Sequence, residues 1–165
     1  MRWVRMANRI GQMKWVKWMV LGVLCSAAPA FGETSNFGTL TLSADKTIGS
    51  LSGTTGGATS LPAIVSSGDI HNNPCLGFGD PTPDHILVLQ QSLPKLKLQV
   101  NSSNSDTTLV IQGADGSVRC GDNIGSKKDA SMVDTNWAAG SYKVWVGTIN
   151  PGVRRNYTLT VRQMK

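Results

Sequence analysis

From residue 33 onward, apolar and polar positions alternate in short runs, and none of these runs sustains a helical period. Leu96, Leu98 and Val100 alternate with Lys95, Lys97 and Gln99. Tyr142, Val144 and Val146 alternate with Lys143 and Trp145, and Tyr157, Leu159 and Val161 with Thr158, Thr160 and Arg162. A period of two sends successive side chains to opposite faces, so each run predicts a strand with one buried and one wetter face. Ile86–Leu89 and Leu109–Ile111 are apolar on both faces and read as central strands, while Phe37–Leu42 supplies an N-terminal strand. Asp115-Gly116, between Ile111 and Val118, signals a hairpin because both residues tolerate positive φ. Asn150-Pro151-Gly152 predicts a second hairpin, pairing the strand around Val144 with the strand around Leu159. The Gly/Ser/Thr-rich stretch 49–60 reads as loops and an edge strand, since residues 33–48 are too few to form a domain on its far side. The pattern predicts an all-β chain, a single antiparallel β-sandwich over residues 33–165.

Charge changes this picture only at the N-terminus. The 165 residues carry 16 Lys+Arg against 10 Asp+Glu, a net charge of +6. Five of the basic residues (Arg2, Arg5, Arg9, Lys14 and Lys17) precede position 18, and no acidic residue precedes Glu33. With those five set aside, 11 basic and 10 acidic side chains remain, which gives no electrostatic footprint for DNA or RNA. The basic stretch is followed by the apolar run Trp18–Leu24 and then by the small residues of Ser26–Gly32. That order is the plan of a secretory signal peptide, with cleavage after Ala30 or Gly32 and a compact alternative start at Met13. The uncharged stretch Trp18–Gly32 is shorter than the roughly 20 apolar residues of a spanning helix, so no transmembrane anchor is expected in the mature chain. Residues 1–32 are therefore read as a signal peptide, and the protein as exported to the periplasm or the exterior.

Export alters the reading of the cysteines. Cys25 leaves with the signal, and Cys75 and Cys120 remain. An even count in an oxidising compartment favours a disulfide. A metal pair or a catalytic thiol is the alternative, but there is no C-x-x-C spacing and no matching ligand set around His71 and His85.

Several motifs recur in a known order. Phe37-Gly38-Thr39-Leu40-Thr41-Leu42-Ser43, Cys75-Leu76-Gly77 and Pro83-Asp84-His85 precede Asp106–Ile111, Asp115-Gly116, Cys120-Gly121-Asp122 and Gly140–Gly147. This set resembles the bacterial pre-peptidase C-terminal type of domain in a stand-alone exported form. The resemblance spans nearly all of residues 37–162. It implies a jelly-roll-like sandwich related in architecture to the collagen-binding domains of bacterial collagenases, and it implies a Cys75–Cys120 bridge. It also implies association with secreted peptidases. Asp122-Asn123 stands where members often have paired acidic residues, and Lys127-Lys128-Asp129 where many have an Asn-Pro turn.

No enzyme chemistry is legible in the residues. A serine peptidase needs a nucleophile, a base and a group orienting that base, and the only histidines after residue 32 are His71 and His85. Neither G-D-S-G-G, G-x-S-x-G nor H-E-x-x-H occurs, and one sandwich uses the whole remainder of the chain. Calcium is the candidate cofactor, because Asp106, Asp115, Asp122 and Asn123 fall at strand ends or turns where hard oxygen ligands could converge. The competing explanation is that Asp and Asn occupy turns for backbone reasons alone. Trp145 alternates with core residues and so projects outward beside Lys143. There it would either stack on a ligand or lie under another segment. The expected role is a non-catalytic binding or structural module for extracellular protein or polysaccharide. The alternative is an accessory part of a secreted peptidase system.

Overall fold

The alternating runs form strands, and their apolar faces meet in one core. The computed structural model describes residues 33–165, so the signal-peptide expectation for residues 1–32 falls outside the described residues. The elements run β1 Thr39–Leu42, β2 Ile48–Thr54, β3 Thr59–Ser60, α1 Leu61–Ile64, β4 Phe78–Gly79 and β5 His85–Leu89, continuing as β6 Leu93–Asn101, β7 Thr107–Gly113, β8 Val118–Ile124, β9 Lys127–Trp137, β10 Gly140–Thr148 and β11 Asn156–Gln163. No helix among the described residues is long and apolar enough to cross a membrane.

Neighbouring strands follow the path β1-β5-β10-β7-β8-β9-β6-β11-β2, with β3 and β4 beside β10. Strand β8 pairs with β7 over Val118–Gly121 and with β9 from Asp122 onward, so it passes from one layer into the other. The first layer is β1-β5-β10-β7-β8 and the second β8-β9-β6-β11-β2. The two ends of the path approach each other where the Leu40 side chain lies against Gly49, leaving no room for a β-carbon there. The chain is all-β, as the pattern predicts, but its sheet is mixed and nearly closed. Strand β1 runs parallel to β5, which corrects the purely antiparallel expectation.

The second hairpin is also corrected. Strand β10 pairs with β5, β7 and β4, whereas β11 pairs with β2 and β6. Their apolar faces meet across the core instead of sharing a ladder. The Asn150-Pro151-Gly152 signal does reverse the chain, but segment 149–155 is long enough to cross the roughly 10 Å between packed layers. The Asp115-Gly116 hairpin forms as expected: Gly116 has φ 80°, and the Gly113 N–H donates to the Ser117 carbonyl at 2.9 Å.

Leu87, Leu89, Leu109, Ile111, Val144 and Val146 from the first layer pack against Leu96, Leu98, Val100, Met132, Leu159 and Val161 from the second. Fully burying a side chain of this size stabilises by about 1.5–3 kcal/mol. Two polar ties cross or line this core. His85 Nε2 and the Tyr157 hydroxyl are 2.9 Å apart and join β5 to β11. Arg119 Nε donates to Asp134 at 2.7 Å while its guanidinium stacks on Trp137 with 4.3 Å to the ring centroid.

A smaller cluster lies on the outer face of the first layer. Val110, Val118 and Trp145 project there and are sealed by Leu61, Val65 and the Cys75–Cys120 bridge, whose Cα atoms are 5.3 Å apart. The disulfide expectation therefore holds. Gly77 permits the close approach of this cover: its φ is +104°, and a β-carbon there would collide with the Thr108 side chain.

The bridge closes a long loop and pins the cover, so converting Cys75 and Cys120 together to Ala is expected to lower stability by about 2–5 kcal/mol in urea titration. The loss should come with increased Trp fluorescence quenching by acrylamide as Trp145 becomes accessible.

Candidate functional site

The two layers treat their outer faces differently. Segment 61–81 covers the first, whereas the outer face formed by β2, β11, β6 and β9 carries no covering segment among the described residues. Its side chains are the polar partners of the alternating runs. Leu96, Leu98 and Val100 point inward with Leu159 and Val161, so Lys95, Lys97, Gln99, Thr158, Thr160 and Arg162 point out.

Register turns these residues into rows across the sheet. Ser52 lies opposite Thr158, which lies opposite Asn101. The next row is Ser50, Thr160, Gln99 and Ser131, with the Ser50 and Thr160 hydroxyls 3.1 Å apart. The third is Ile48, Arg162, Lys97 and Val133. Three shallow depressions mark the face. One of about 260 Å³ is lined by Lys97, Gln99, Thr160, Arg162 and Met164, and one of about 440 Å³ includes Lys97, Gln99, Lys127 and Asp129. The third, about 610 Å³, lies at the Asn101–Thr158 end beside Phe37. Asp129 organises the rim, accepting the Ser102 N–H at 2.8 Å, the Asn104 N–H at 3.2 Å and the Ser102 hydroxyl.

The two histidines sit elsewhere and differ in environment. His71 is half exposed on the loop before Cys75, and its Nε2 lies 2.9 Å from Asp134 Oδ1, whose other oxygen holds Arg119. Asp69 shapes this loop by accepting the backbone N–H groups of His71 and Asn73, each at 2.8 Å. Although burial opposes its ionisation, these bonds and the Asn73 side chain hold its carboxyl below the usual range. Among the described residues no hydroxyl or thiol bonds to His71, and its contact with Asp134 ties the loop to β9. His85 is fully buried, and desolvation pushes its imidazole down to about 4, leaving it neutral. Neighbouring Asp84 is buried too and accepts the Val146 N–H at 2.7 Å. Its burial, with the Asp80 charge adding, pushes that carboxyl up to about 7.

The calcium candidates do not converge. Asn123 Nδ2 donates to Asp106 Oδ1 at 3.4 Å, Asp122 lines the groove beside His71, and Asp115 sits at the other end of β8 in the hairpin turn. Among the described residues no three His, Cys, Asp or Glu side chains are grouped to hold a metal ion. Asp115 is occupied locally, accepting the Ser117 N–H at 3.0 Å. The backbone explanation accounts for Asp115, whereas Asp122 Oδ1 is buried without a hydrogen-bond partner among the described residues.

Trp145 does project away from the core between the layers, but it is only 5% exposed, and its indole N–H donates to the Pro81 carbonyl at 3.4 Å. This corrects its candidacy as an exposed platform. Val110 and Val118 present apolar side chains on the same outer face, and three such positions together require a cover. Lys143 is half exposed with its Nζ 3.5 Å from Glu33, away from the open face. Sequence reasoning did assign Lys97, Gln99, Thr160 and Arg162 to polar strand faces. It did not bring them together, because the register that faces Gln99 to Thr160 and Lys97 to Arg162 joins β6 to β11 across some sixty positions.

Two outcomes follow for the buried groups. Trp145→Ala is expected to destabilise by about 3–5 kcal/mol in denaturant titration, as truncation of a buried Trp does. Asp84 in the folded state keeps its proton up to about pH 7, whereas the unfolded chain releases it near 3.8. Its contribution is thus complete below that lower value and is lost as pH rises through 7. His85 works oppositely, its contribution being present above 6.5 and lost as pH falls through about 4. Asp84→Asn should keep the bond from Val146, and its stability advantage over the parent should grow by on the order of 3 kcal/mol between pH 4 and pH 8. Thermal melts of both proteins across that range check this; a pH-independent difference would count against it.

No family model matches the chain, and no curated protein matches it. A search of solved structures finds similarity to the crystal structure of Aeromonas hydrophila PliG, a periplasmic lysozyme inhibitor of g-type lysozyme, at 13% identity and a TM-score of 0.44, covering 79% of this chain and 100% of that one.

Proposed function

We propose that the chain is an exported, non-catalytic binding module that engages its partner through the open outer face of the second layer. The observation that carries this reading is the contrast between the two faces. One is apolar and sealed by a disulfide-pinned segment, whereas the other is uncovered and carries aligned rows of hydroxyl, amide and basic side chains. Short polar side chains on paired strands are held in place before a ligand arrives, which lowers the entropic cost of binding. The signal-like N-terminus and the Cys75–Cys120 bridge support a site of action outside the reducing cytoplasm. The motif run resembling pre-peptidase C-terminal domains favours a second reading, in which the module serves beside a separate catalytic chain of a secreted peptidase system.

Titration of the isotope-labelled exported protein with collagen-like peptides, neutral glycans and anionic glycans is expected to shift the amide resonances of Ser50, Gln99 and Thr160 with at least one ligand class. Peptide substrates should remain intact. Shifts confined to segment 61–81, or a hydrolysis that His71→Ala abolishes, would overturn the reading.

A further inference from the structure

Resting on that binding face, we propose its ligand class: an anionic polysaccharide, whose carboxylate or sulfate groups are held by Lys97 and Arg162. These two cations stand directly opposite each other on β6 and β11. Like charges in that position repel and cost stability, so strand pairing alone does not favour them. Their outer neighbours in the same row are Ile48 and Val133, which offer no counter-charge. The ion pairs found among the described residues involve His71, Arg119 and Lys143 instead. Asp129, the acid lining the adjoining depression, directs its oxygens to Ser102 and Asn104. The basic pair is therefore uncompensated within the fold, and an external anion supplies the missing charge.

The surroundings select among anionic partners. Lys97 and Gln99 line both neighbouring depressions, so a chain crossing from one to the other passes over them. Beside the basic row lie Ser50, Thr160 and Gln99, short donors and acceptors suited to sugar hydroxyls. The apolar side chains on the face, Ile48 and Val133 at the two ends of the basic row and Met164 at one depression, are separated by polar and charged groups. The core of a protein interface and the buried side of a membrane-bound face both require a contiguous apolar centre instead. Strand β6 spans Leu93–Asn101, and at about 3.3 Å per residue its outward positions offer a track several sugar units long.

The test measures binding of the exported protein to polygalacturonate oligosaccharides and to heparin fragments. Dextran, poly-glutamate and vesicles of phosphatidylglycerol with phosphatidylcholine serve as competitors for the same interpretation. One or both anionic glycans should bind while dextran does not, with affinity falling as salt rises. Lys97→Gln and Arg162→Gln should each weaken that binding about tenfold and flatten its salt dependence. Neither change should lower the melting temperature, since each relieves a like-charge contact. Equal binding of poly-glutamate, preference for vesicles, unaltered affinity in both variants, or no binding to either anionic glycan would overturn the inference. If a neutral glycan or a peptide shifts Ser50, Gln99 and Thr160 while both variants bind it normally, this inference fails and the binding face stands. If no ligand reaches those residues, both fail.

Discussion

Keeping Trp145 out of water is the constraint on which the architecture turns. Strand β10 needs Tyr142, Val144 and Val146 in the core, so period-two geometry forces Trp145 to the other side, where Val110 and Val118 join it. An apolar patch of that size cannot face solvent in a stable exported domain. The chain answers with a long detour between β3 and β5, which lays Leu61, Val65 and Cys75 over the patch. Gly77 and Gly147 clear space for it; a β-carbon at Gly147 would lie 2.8 Å from the Leu61 side chain. The disulfide then fixes the detour to β8. Once this segment is committed to the first layer, no other long segment among the described residues is left to cover the second, whose outer side chains are mostly polar.

The same division explains where polar groups are buried. Asp84, His85 and Tyr157 occupy one end of the core, and Arg119, Asp134 and Trp137 another. Each group has a partner on a different strand, so the ties specify how the layers register while the aliphatic residues supply most of the stability. A buried ion pair such as Arg119–Asp134 adds little net energy over an apolar replacement, but losing one member strands the other charge. His71 extends that pair outward to the loop before Cys75, linking the covering segment to β9 as well as to β8.

Most of the fold was legible in the residues because strand patterning is local. The runs around Leu98, Val144 and Leu159, the doubly apolar Ile86–Leu89 and Leu109–Ile111, and the Asp115-Gly116 turn all appear where periodicity places them. The errors are non-local. Asn150-Pro151-Gly152 encodes a reversal but not the layer to which the returning strand attaches. Nothing in Thr39–Leu42 encodes a parallel partner. For Trp145 the alternation placed the side chain but left open whether it was covered, since burial depends on a segment some seventy positions away. The open face was half visible. Its polar positions could be read, but the facing of Lys97 against Arg162 is a property of the β6–β11 register. The calcium candidates could be read as strand-end and turn residues, but not where the fold carries them: Asp115 bonds its own turn, Asp106 pairs with Asn123, and Asp122 lies in the groove beside His71.

The pairing of β2 with β11 also sets an order of events during synthesis. Residues 48–54 have their ladder partner at residues 156–162, near the end of the chain, and β11 bridges β2 to β6. Until that last strand has been made, β2 has no hydrogen-bonded neighbour and the second layer lacks its middle. Contacts of such separation form late because loop closure precedes any compensating burial. The second layer therefore cannot be completed until residues 156–162 are free to pair, and β2 stands as an unpaired strand until then.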